Sequence, residues 1–176
     1  MRIVIVGGVA GGMSAATRLR RLSEDTEIIV LDKGPYVSFA NCALPYYLSG
    51  TIKDRDQLVV ESPEHLKQRF RIDVRPNTQV TAIDPDKHQL TAVAGGKEAT
   101  IDYDRLILAP GSTATIPDIK GLGTADNVFT LRNIPDVDRI MASLNHDAKT
   151  AAVVGAGSVG IEAVENLTKR GIETTL

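Results

Sequence analysis

The chain has 176 residues, with 20 Lys and Arg against 22 Asp and Glu and a formal net charge of -2. This balance gives no overall attraction for nucleic acid or for an anionic membrane surface, and no basic block supplies a local one. The N-terminus lacks the apolar stretch of a secretory signal, and no run of about 18 apolar residues predicts a membrane span. We therefore expect a cytoplasmic protein that binds neither nucleic acid nor membrane.

A strand, a glycine-rich turn and a helix follow one another at the N-terminus. The β-branched run Ile3–Val6 predicts a strand that is buried on both faces. Ala15, Leu19 and Leu22 then recur at i, i+4 and i+7, which predicts the apolar face of a helix. The turn between strand and helix carries the glycines Gly7, Gly8, Gly11 and Gly12.

A second strand and an acidic residue complete this first βαβ unit. Ile28–Leu31 predicts the strand, and Asp32 ends it. Small residues let a backbone approach a pyrophosphate, a helix N-terminus offsets the phosphate charge, and a carboxylate after the second strand accepts hydrogen bonds from a ribose. Val9 replaces the middle glycine of the G-x-G-x-x-G pattern, although Gly8 lies beside it. The unit predicts a bound dinucleotide.

The C-terminal segment repeats this plan with the full glycine pattern. Gly155, Gly157 and Gly160 follow the predicted strand Ala151–Val154 and open a second predicted helix. Two such sites allow one bound flavin and one diffusing nicotinamide, between which a hydride passes. The chain stops at Leu176, before the residue that would select NADH or NADPH, so we expect it to be part of a longer protein.

The region between the two units predicts an antiparallel meander. Strand-like runs from Asp73 onward are separated by the turn signals Asp84-Pro85-Asp86 and Gly95-Gly96. The apolar strand Arg105–Ala109 follows and enters a Pro-Gly turn, and residues 128–144 predict a strand and then a helix. The expected fold is α/β, with two Rossmann-like units of which the first carries the meander.

The one cysteine of the sequence, Cys42, lies in the apolar stretch SFANCALPYY. It cannot form an internal disulfide, so a redox role needs a partner thiol or a cofactor. Pro45 is tolerated in the first turn of a helix and Gly50 can close one, so a helix is expected to start near Cys42. Composition alone equally allows an inert cysteine in the core. No metal site is predicted, because no metal-ligand spacing joins Cys42 to His65, His88 or His146.

The motifs of the chain, in their order and spacing, resemble the flavin-dependent pyridine nucleotide–disulfide oxidoreductases. The motifs are the first glycine turn, SFANC-LPYY, YDRLILAPGS, LRNIPDVDRI and VVGAGSVGIEAVENL. Within that family the chain looks most like the coenzyme A-disulfide reductases and the related persulfide reductases. The likeness spans the whole chain, and the stretch around Cys42 is its most specific part.

This resemblance implies a domain plan and two cofactors, FAD and NADH or NADPH. Residues 1–118 would form the first part of an FAD-binding domain, residues 119–176 would begin an NAD(P)-binding domain, and a further C-terminal domain would form a homodimer. NAD(P) would be held at Gly155, Gly157 and Gly160. The residues implied for FAD are Gly7, Gly8, Ala10, Gly11, Gly12, Asp32, Lys33, Val80, Ala109, Pro110 and Gly111.

The resemblance also implies a small thiol or disulfide as substrate, with coenzyme A foremost. Relatives with two redox cysteines separated by four residues would place the second at Tyr47, so Cys42 would act alone. A lone thiolate can cycle through a mixed disulfide, a persulfide or a sulfenic acid. Ser38 and Asn41 are expected to donate hydrogen bonds to its sulfur or to an incoming thiol.

Three polar residues on the first predicted helix give a second indication of the substrate. Ser14, Arg18 and Arg21 recur at i, i+4 and i+7, a spacing that by itself is as typical of a solvated basic face. The resemblance assigns them to coenzyme A, whose phosphates suit guanidinium groups.

Two other functions stay open from the sequence. Flavin peroxidases and water-forming NADH oxidases of the same superfamily also use one cysteine, together with a histidine where this chain has Ala10. Ala10 cannot supply acid–base chemistry for peroxide, which favours a thiol-derived substrate. The second of these alternative functions is a flavoprotein redox sensor, in which Cys42 only detects oxidation. The choice between coenzyme A disulfide and a persulfide or polysulfide also stays open.

Overall fold

The computed structural model describes residues 1–146 and 148–176. The helices are α1 (Ala10–Leu22), α2 (Leu44–Leu48), α3 (Pro63–Phe70), α4 (Ile134–Asn145) and α5 (Ser158–Lys169). The strands are β1 (Arg2–Val6), β2 (Glu27–Leu31), β3 (Ile72–Arg75), β4 (Thr78–Asp84), β5 (Gln89–Ala94), β6 (Lys97–Asp102), β7 (Arg105–Leu108), β8 (Thr150–Ala152) and β9 (Glu173–Thr175).

The chain divides into two compact units. Unit 1 consists of Met1–Phe39 and Val59–Gly111, and unit 2 consists of Ala40–Leu58 and Ser112–Leu176. The sequence therefore passes from unit 1 into unit 2 and back before it enters unit 2 again. The domain bounds 1–118 and 119–176 stay a prediction.

Unit 1 is built on a parallel sheet with the strand order β3-β2-β1-β7. Val6, at the end of β1, pairs with Leu31 of β2 on one side and with Leu108 of β7 on the other. Because parallel strands end at the same edge, the glycine turn after β1, Asp32 after β2 and the Ala109 turn after β7 all leave the sheet there. The Rossmann-like α/β architecture predicted from the sequence is confirmed.

Both faces of this sheet are covered, and the side chains alternate between them. Ile3 and Ile5 of β1 face the helical layer, where they pack with Met13 and Leu66 of α1 and α3. Val4 faces the opposite layer, which β5 and the residues after β6 provide. The strands β4, β5 and β6 form the predicted antiparallel meander, with a register shift between Val80 and Ala82. The first run assigned to that meander, Ile72–Arg75, instead pairs in parallel with β2.

Helix α1 buries a different face from the one the apolar pattern predicts. Leu22 is 66% exposed, so its assignment to the buried stripe was wrong. Ala15 and Leu19 lie at the edge of the core, and the buried positions include Met13, Ala16 and Arg20. The guanidinium of Arg20 donates to carbonyl oxygens at the ends of two helices, those of Ser23, Glu24, Phe70 and Arg71. A buried cation thus replaces the expected leucine by capping helix C-termini.

Unit 2 contains the second βαβ arrangement, in which β8 pairs in parallel with β9 and α5 connects them. Helix α4 begins as predicted, with Pro135 in its first turn and the side chain of Asn133 accepting a hydrogen bond from the Asp136 N–H at 2.9 Å. The strand expected within residues 128–131 does not form. Thr130 and Arg132 instead donate to the buried carboxylate of Asp136, which holds this segment as an ordered loop.

Candidate functional site

The first glycine turn is packed too tightly for side chains. Gly7 has φ +105°, and a Cβ there would lie 1.9 Å from the carbonyl oxygen of Ala109. A Cβ at Gly12 would lie 1.8 Å from the carbonyl oxygen of Gly7, so only glycine lets α1 pack onto the turn. The turn therefore brings Gly7, Gly12 and Ala109 together at the carboxyl edge of the sheet.

The N-terminus of α1 is open toward solvent and carries no competing anion. Its N-cap residue, Val9, makes no side-chain hydrogen bond, and the first turn contains no acidic residue. Ala10 and Gly11 are exposed, and a Cβ at Gly11 would meet only the Cβ of Ala109, at 3.7 Å. Free N–H groups and the positive end of a 13-residue helix are what a pyrophosphate requires. The residues present thus fit the phosphate groups of a dinucleotide.

Asp32 is fixed beside this turn by two backbone donors. Its Oδ2 accepts a hydrogen bond from Gly8 N at 2.6 Å, and its Oδ1 accepts one from Gly34 N at 2.7 Å. Each carboxylate oxygen has a second lone pair, so both can still accept from ribose hydroxyls. Lys33 follows with an exposed side chain.

The other residues implied for FAD occupy two positions in unit 1. Ala109 N donates to Val6 O at 2.8 Å, and Gly111 has φ +69°, so residues 109–111 form a turn directly after β7. Pro110 is exposed in that turn. Val80 lies in β4, half-buried against the sheet core rather than against the glycine turn.

The second glycine turn has the same internal geometry as the first. Gly155 has φ +115°, and a Cβ at Gly160 would lie 1.9 Å from the carbonyl oxygen of Gly155. Gly157 is the N-cap of α5 and offers no side chain, and the first turn of α5 has no acidic residue. The N–H groups of a 12-residue helix are therefore free for a phosphate here too.

Cys42 lies in a short 3-10 turn, Asn41–Ala43, immediately before α2, and it is exposed. The helix starts at Leu44 with Pro45 in its first turn, and Gly50 follows its end with φ +76°, as the sequence predicts. Cys42 is therefore not a core residue, which composition alone equally allowed. Cys42 lines a cavity of about 250 Å³ within unit 2. The lining residues are Asn41, Cys42, Pro45, Leu131, Arg132, Val159 and Glu162.

Two arginines hold the segment that carries Cys42 in place. Arg55 donates to both carboxylate oxygens of Asp138 in α4, each at 2.7 Å. Arg170, at the end of α5, donates to Leu48 O at 3.0 Å and to Asn145 Oδ1 at 3.1 Å. A bidentate pair and a guanidinium at the end of α2 give specific geometry, so the thiol is positioned by α4 and α5 rather than by α2 alone.

The cavity beside Cys42 contains two charged residues that sequence reasoning missed. Arg132 reaches it from the loop before α4, and Glu162 reaches it from the second turn of α5. A capping residue at Asn133 followed by Asp136 could have indicated that the Arg132 loop is ordered. No sequence signal tied Glu162 to Cys42, because they are 120 positions apart (162 − 42).

The residues predicted to contact the substrate lie in both units. Ser14, Arg18 and Arg21 are all exposed on α1, as a basic stripe requires. Asn41 lines the same cavity as Cys42. Ser38 belongs to unit 1, where its backbone N–H donates to Gly8 O at 2.8 Å and its φ is +48°.

The described residues contain neither a metal-binding cluster nor a membrane-spanning helix. No group of three or more His, Cys, Asp or Glu side chains there is arranged to hold a metal ion. None of the helices in residues 1–146 and 148–176 has the length and apolar character needed to cross a membrane.

Comparison with known proteins accounts for the two glycine turns and the strand order together. The family model described as pyridine nucleotide-disulphide oxidoreductase matches residues 1–176. The chain belongs to that family. Members of this family use FAD and NAD(P)H, which agrees with the fit of both turns to dinucleotide phosphates.

Relatives within the family share the sequence and the fold closely. The coenzyme A disulfide reductase of Staphylococcus haemolyticus is 39% identical over 180 residues, which cover 99% of this chain and 40% of that protein. The reduced CoADR-RHD of Bacillus anthracis is 46% identical with a TM-score of 0.96, over 98% of this chain and 32% of that one. The NAD-dependent persulfide reductase of A. fulgidus is 34% identical with a TM-score of 0.95, over 99% of this chain and 33% of that one. The chain thus spans about 40% of the length of the curated relatives it matches.

Proposed function

We propose that the protein is an FAD-dependent oxidoreductase that uses NAD(P)H to reduce coenzyme A disulfide, or a persulfide or polysulfide of coenzyme A, through Cys42. The observation that carries this proposal is the exposed thiol of Cys42, held in a cavity by α4 and α5 while the sequence contains no second cysteine. No second cysteine stands in this sequence to form a disulfide with Cys42, which supports a reaction with a sulfur that arrives on a substrate.

Cys42 would act by thiol–disulfide exchange. Its thiolate attacks one sulfur of the substrate, the substrate S–S bond breaks, and a Cys42–S–S–CoA bond forms while the second coenzyme A leaves as a thiolate. The Cys42 sulfur is oxidised and the leaving sulfur is reduced, so the electrons balance. Two electrons from NAD(P)H then reduce the mixed disulfide and release the first coenzyme A. In the persulfide variant, Cys42 accepts the sulfane sulfur and the reduction releases sulfide.

The chain's own residues would hold the two cofactors at its glycine turns. For FAD, the N–H groups of Ala10 and Gly11 would face the pyrophosphate, and Asp32 would accept from a ribose. The turn of Gly155, Gly157 and Gly160 would take the pyrophosphate of NAD(P)H. When bound, the flavin supplies hydride acceptance from the nicotinamide and electron transfer to sulfur.

Ser14, Arg18 and Arg21 would contact coenzyme A. Their side chains are exposed on one stripe of α1, and neither arginine forms an ion pair with another described residue. Unpaired guanidinium groups can form charge-assisted hydrogen bonds with the phosphates of coenzyme A. The names of the Staphylococcus and Bacillus relatives support coenzyme A as the carrier of the substrate sulfur.

The decisive experiment compares the protein with its Cys42→Ser variant. We expect the variant to retain FAD, measured by its visible absorbance, and to lose at least about 100-fold in NAD(P)H turnover with coenzyme A disulfide or persulfide, because nucleophilic exchange is removed. Mass spectrometry of the non-reduced protein should show coenzyme A bound at Cys42, and a combined Arg18→Met and Arg21→Met variant should lower the yield of that adduct.

Each rival function predicts a different result in the same experiment. Full turnover by Cys42→Ser would refute a covalent role for the thiol. Rapid oxygen or peroxide consumption that depends on Cys42, without turnover of any thiol substrate, would instead identify an oxidase or peroxidase. If NAD(P)H is not oxidised with any of the acceptors, the result would favour a redox sensor.

A further inference from the structure

The cavity beside Cys42 contains a guanidinium that the proposed chemistry has not yet used. Arg132 is half-buried, and its Nε donates to Ser112 O at a long 3.3 Å. Its two Nη groups have no hydrogen-bond partner among the described residues, and Arg132 lines the same cavity of about 250 Å³ as Cys42. A guanidinium with free donors in the same cavity as a thiol can bind negative charge there.

The loop that carries Arg132 is held rigidly. The buried carboxylate of Asp136 accepts from Arg132 N at 3.0 Å and from Thr130 Oγ1 at 3.2 Å, and its other oxygen accepts from Arg139 at 2.7 Å. Asp136 is 5% exposed, so these bonds are protected from water. The backbone of Arg132 is therefore fixed before any substrate arrives, which is the condition for an electrostatic contribution that needs little reorganisation.

A carboxylate faces the same cavity from another helix. Glu162 lines it from α5, and its side-chain oxygens make no hydrogen bond or ion pair with any described residue, Arg132 included. The remaining lining residues, Asn41, Pro45, Leu131 and Val159, are neutral. The charged residues that line the cavity are thus one arginine and one glutamate, which are not paired with each other.

We propose that the guanidinium of Arg132 stabilises the single negative charge that is present throughout sulfur exchange at Cys42, and that the carboxylate of Glu162 opposes this effect. This inference rests on the proposed function. The exchange Cys42–S⁻ + R–S–S–R′ → Cys42–S–S–R + R′–S⁻ has one thiolate before the step and one after it. A guanidinium in the cavity would therefore stabilise the attacking sulfur first and the leaving sulfur afterwards.

The test uses two small disulfides whose products are coloured: dithiobis(nitrobenzoate), which is dianionic, and dithiodipyridine, which is neutral. The purified holoprotein is first reduced with dithiothreitol, which is then removed, so that Cys42 is a free thiol. Its rates of reaction with the two disulfides are then measured, and the rate of the Cys42→Ser variant is subtracted. We expect Arg132→Met to slow the reaction with the dianionic reagent about tenfold and the reaction with the neutral reagent about twofold. Loss of the cation removes stabilisation of the thiolate in both reactions, and it also removes the attraction for the dianionic reagent. Glu162→Gln should accelerate the dianionic reagent about threefold.

Matched controls separate a local charge effect from a general one. Lys169→Met removes an exposed cation from the end of α5, and Glu165→Gln removes an exposed carboxylate from the same helix as Glu162. Neither residue lines the cavity, so both variants should react like the parent protein. Arg132→Lys should recover part of the rate with the dianionic reagent, because it restores charge but not the planar fork.

The inference is overturned if Arg132→Met reacts with both disulfides at the rates of Lys169→Met while its thermal unfolding is unchanged. It is also overturned if both reagents slow equally, because an altered thiol position would do that without any charge effect. These rates require no NAD(P)H, so the failure of this inference leaves the Cys42→Ser turnover experiment unaffected. Retained turnover by Cys42→Ser would reject the proposed function and leave the charge effect on exchange standing.

Discussion

The two glycine turns share one internal contact and differ in what surrounds them. A Cβ at Gly12 would meet Gly7 O at 1.8 Å, and a Cβ at Gly160 would meet Gly155 O at 1.9 Å. A Cβ at Gly7 would also meet Ala109 O at 1.9 Å, whereas a Cβ at Gly155 would meet nothing within 4 Å. The close packing of helix on turn thus belongs to the βαβ unit itself, while the contact outside the turn depends on a neighbouring strand.

The neighbouring strand explains this difference. In unit 1, β1 lies between β2 and β7, and the turn after β7 covers Gly7. Among the described residues of unit 2, β8 pairs only with β9, and Val154 just before the turn is 78% exposed. Among the described residues, a neighbouring strand and its turn therefore enclose the glycine turn of unit 1, and none lies beside the glycine turn of unit 2.

The largest expected difference in the free energy of unfolding is between the variants Gly7→Ala and Gly155→Ala. Both changes force an alanine into positive φ, which costs roughly 1–2 kcal/mol. Only Gly7→Ala also drives a Cβ into the backbone of Ala109, so we expect its total loss of unfolding free energy to exceed about 3 kcal/mol. Urea unfolding followed by far-UV circular dichroism measures both. Equal losses at the two sites would show that the Ala109 contact relaxes without cost.

A smaller difference in unfolding free energy is expected between substitutions of Arg20, near the end of α1, and of Arg170, at the end of α5. Arg20 is 6% exposed and donates to backbone carbonyls of two helix ends, so Arg20→Met should lower the unfolding free energy by about 3 kcal/mol. Arg170 is half-buried, with one backbone and one side-chain acceptor, so Arg170→Met should cost about 1 kcal/mol. The exposed Arg18→Met is the control, with a change within about 0.5 kcal/mol. A loss at Arg18 equal to that at Arg20 would mean that carbonyl capping is not the cause.

Gly11→Ala should have the smallest effect on stability and a clear one on the cofactor. The added methyl would make only ordinary contact with Ala109 Cβ at 3.7 Å, and alanine favours the helix, so stability should rise by up to about 0.5 kcal/mol. The methyl would occupy the open N-terminus of α1, so FAD retained after dialysis should fall severalfold. In the second glycine turn the residue that corresponds to Gly11 is Val159, which already carries a side chain, so the comparable substitution does not exist there. Unchanged FAD content in Gly11→Ala would place the pyrophosphate elsewhere.

Most of the fold could be predicted because its signals are local. Each element is specified within a few residues, by a β-branched run, a glycine turn or a Pro-Gly turn. The failures arose where tertiary contacts override such signals. Leu22 matches helical spacing, yet Arg20 is the buried residue, because its guanidinium satisfies carbonyls on a different helix. Helix α3, capped by Ser62, was not predicted at all, although a serine before Pro63 is typical of a helix start.

The candidate site was predictable only in part, for the same reason. The cysteine and the glycines stand out in the sequence because their chemistry is rare. Arg132 and Glu162 do not, since an arginine and a glutamate are common on any surface and only the packing of α2 on α4 and α5 brings them to Cys42.

The division of the chain between the units has a consequence for synthesis. Leu48 and Arg55 bond to residues 122 and 83 positions later, Arg170 and Asp138. At translation rates of about 5–20 residues per second, these partners emerge roughly 4–24 s after the segment itself. During that interval the nascent chain already holds its thiol but none of the helices that will position it. The sulfur on which the proposed catalysis depends therefore reaches its place late, after both α4 and α5 have been synthesised.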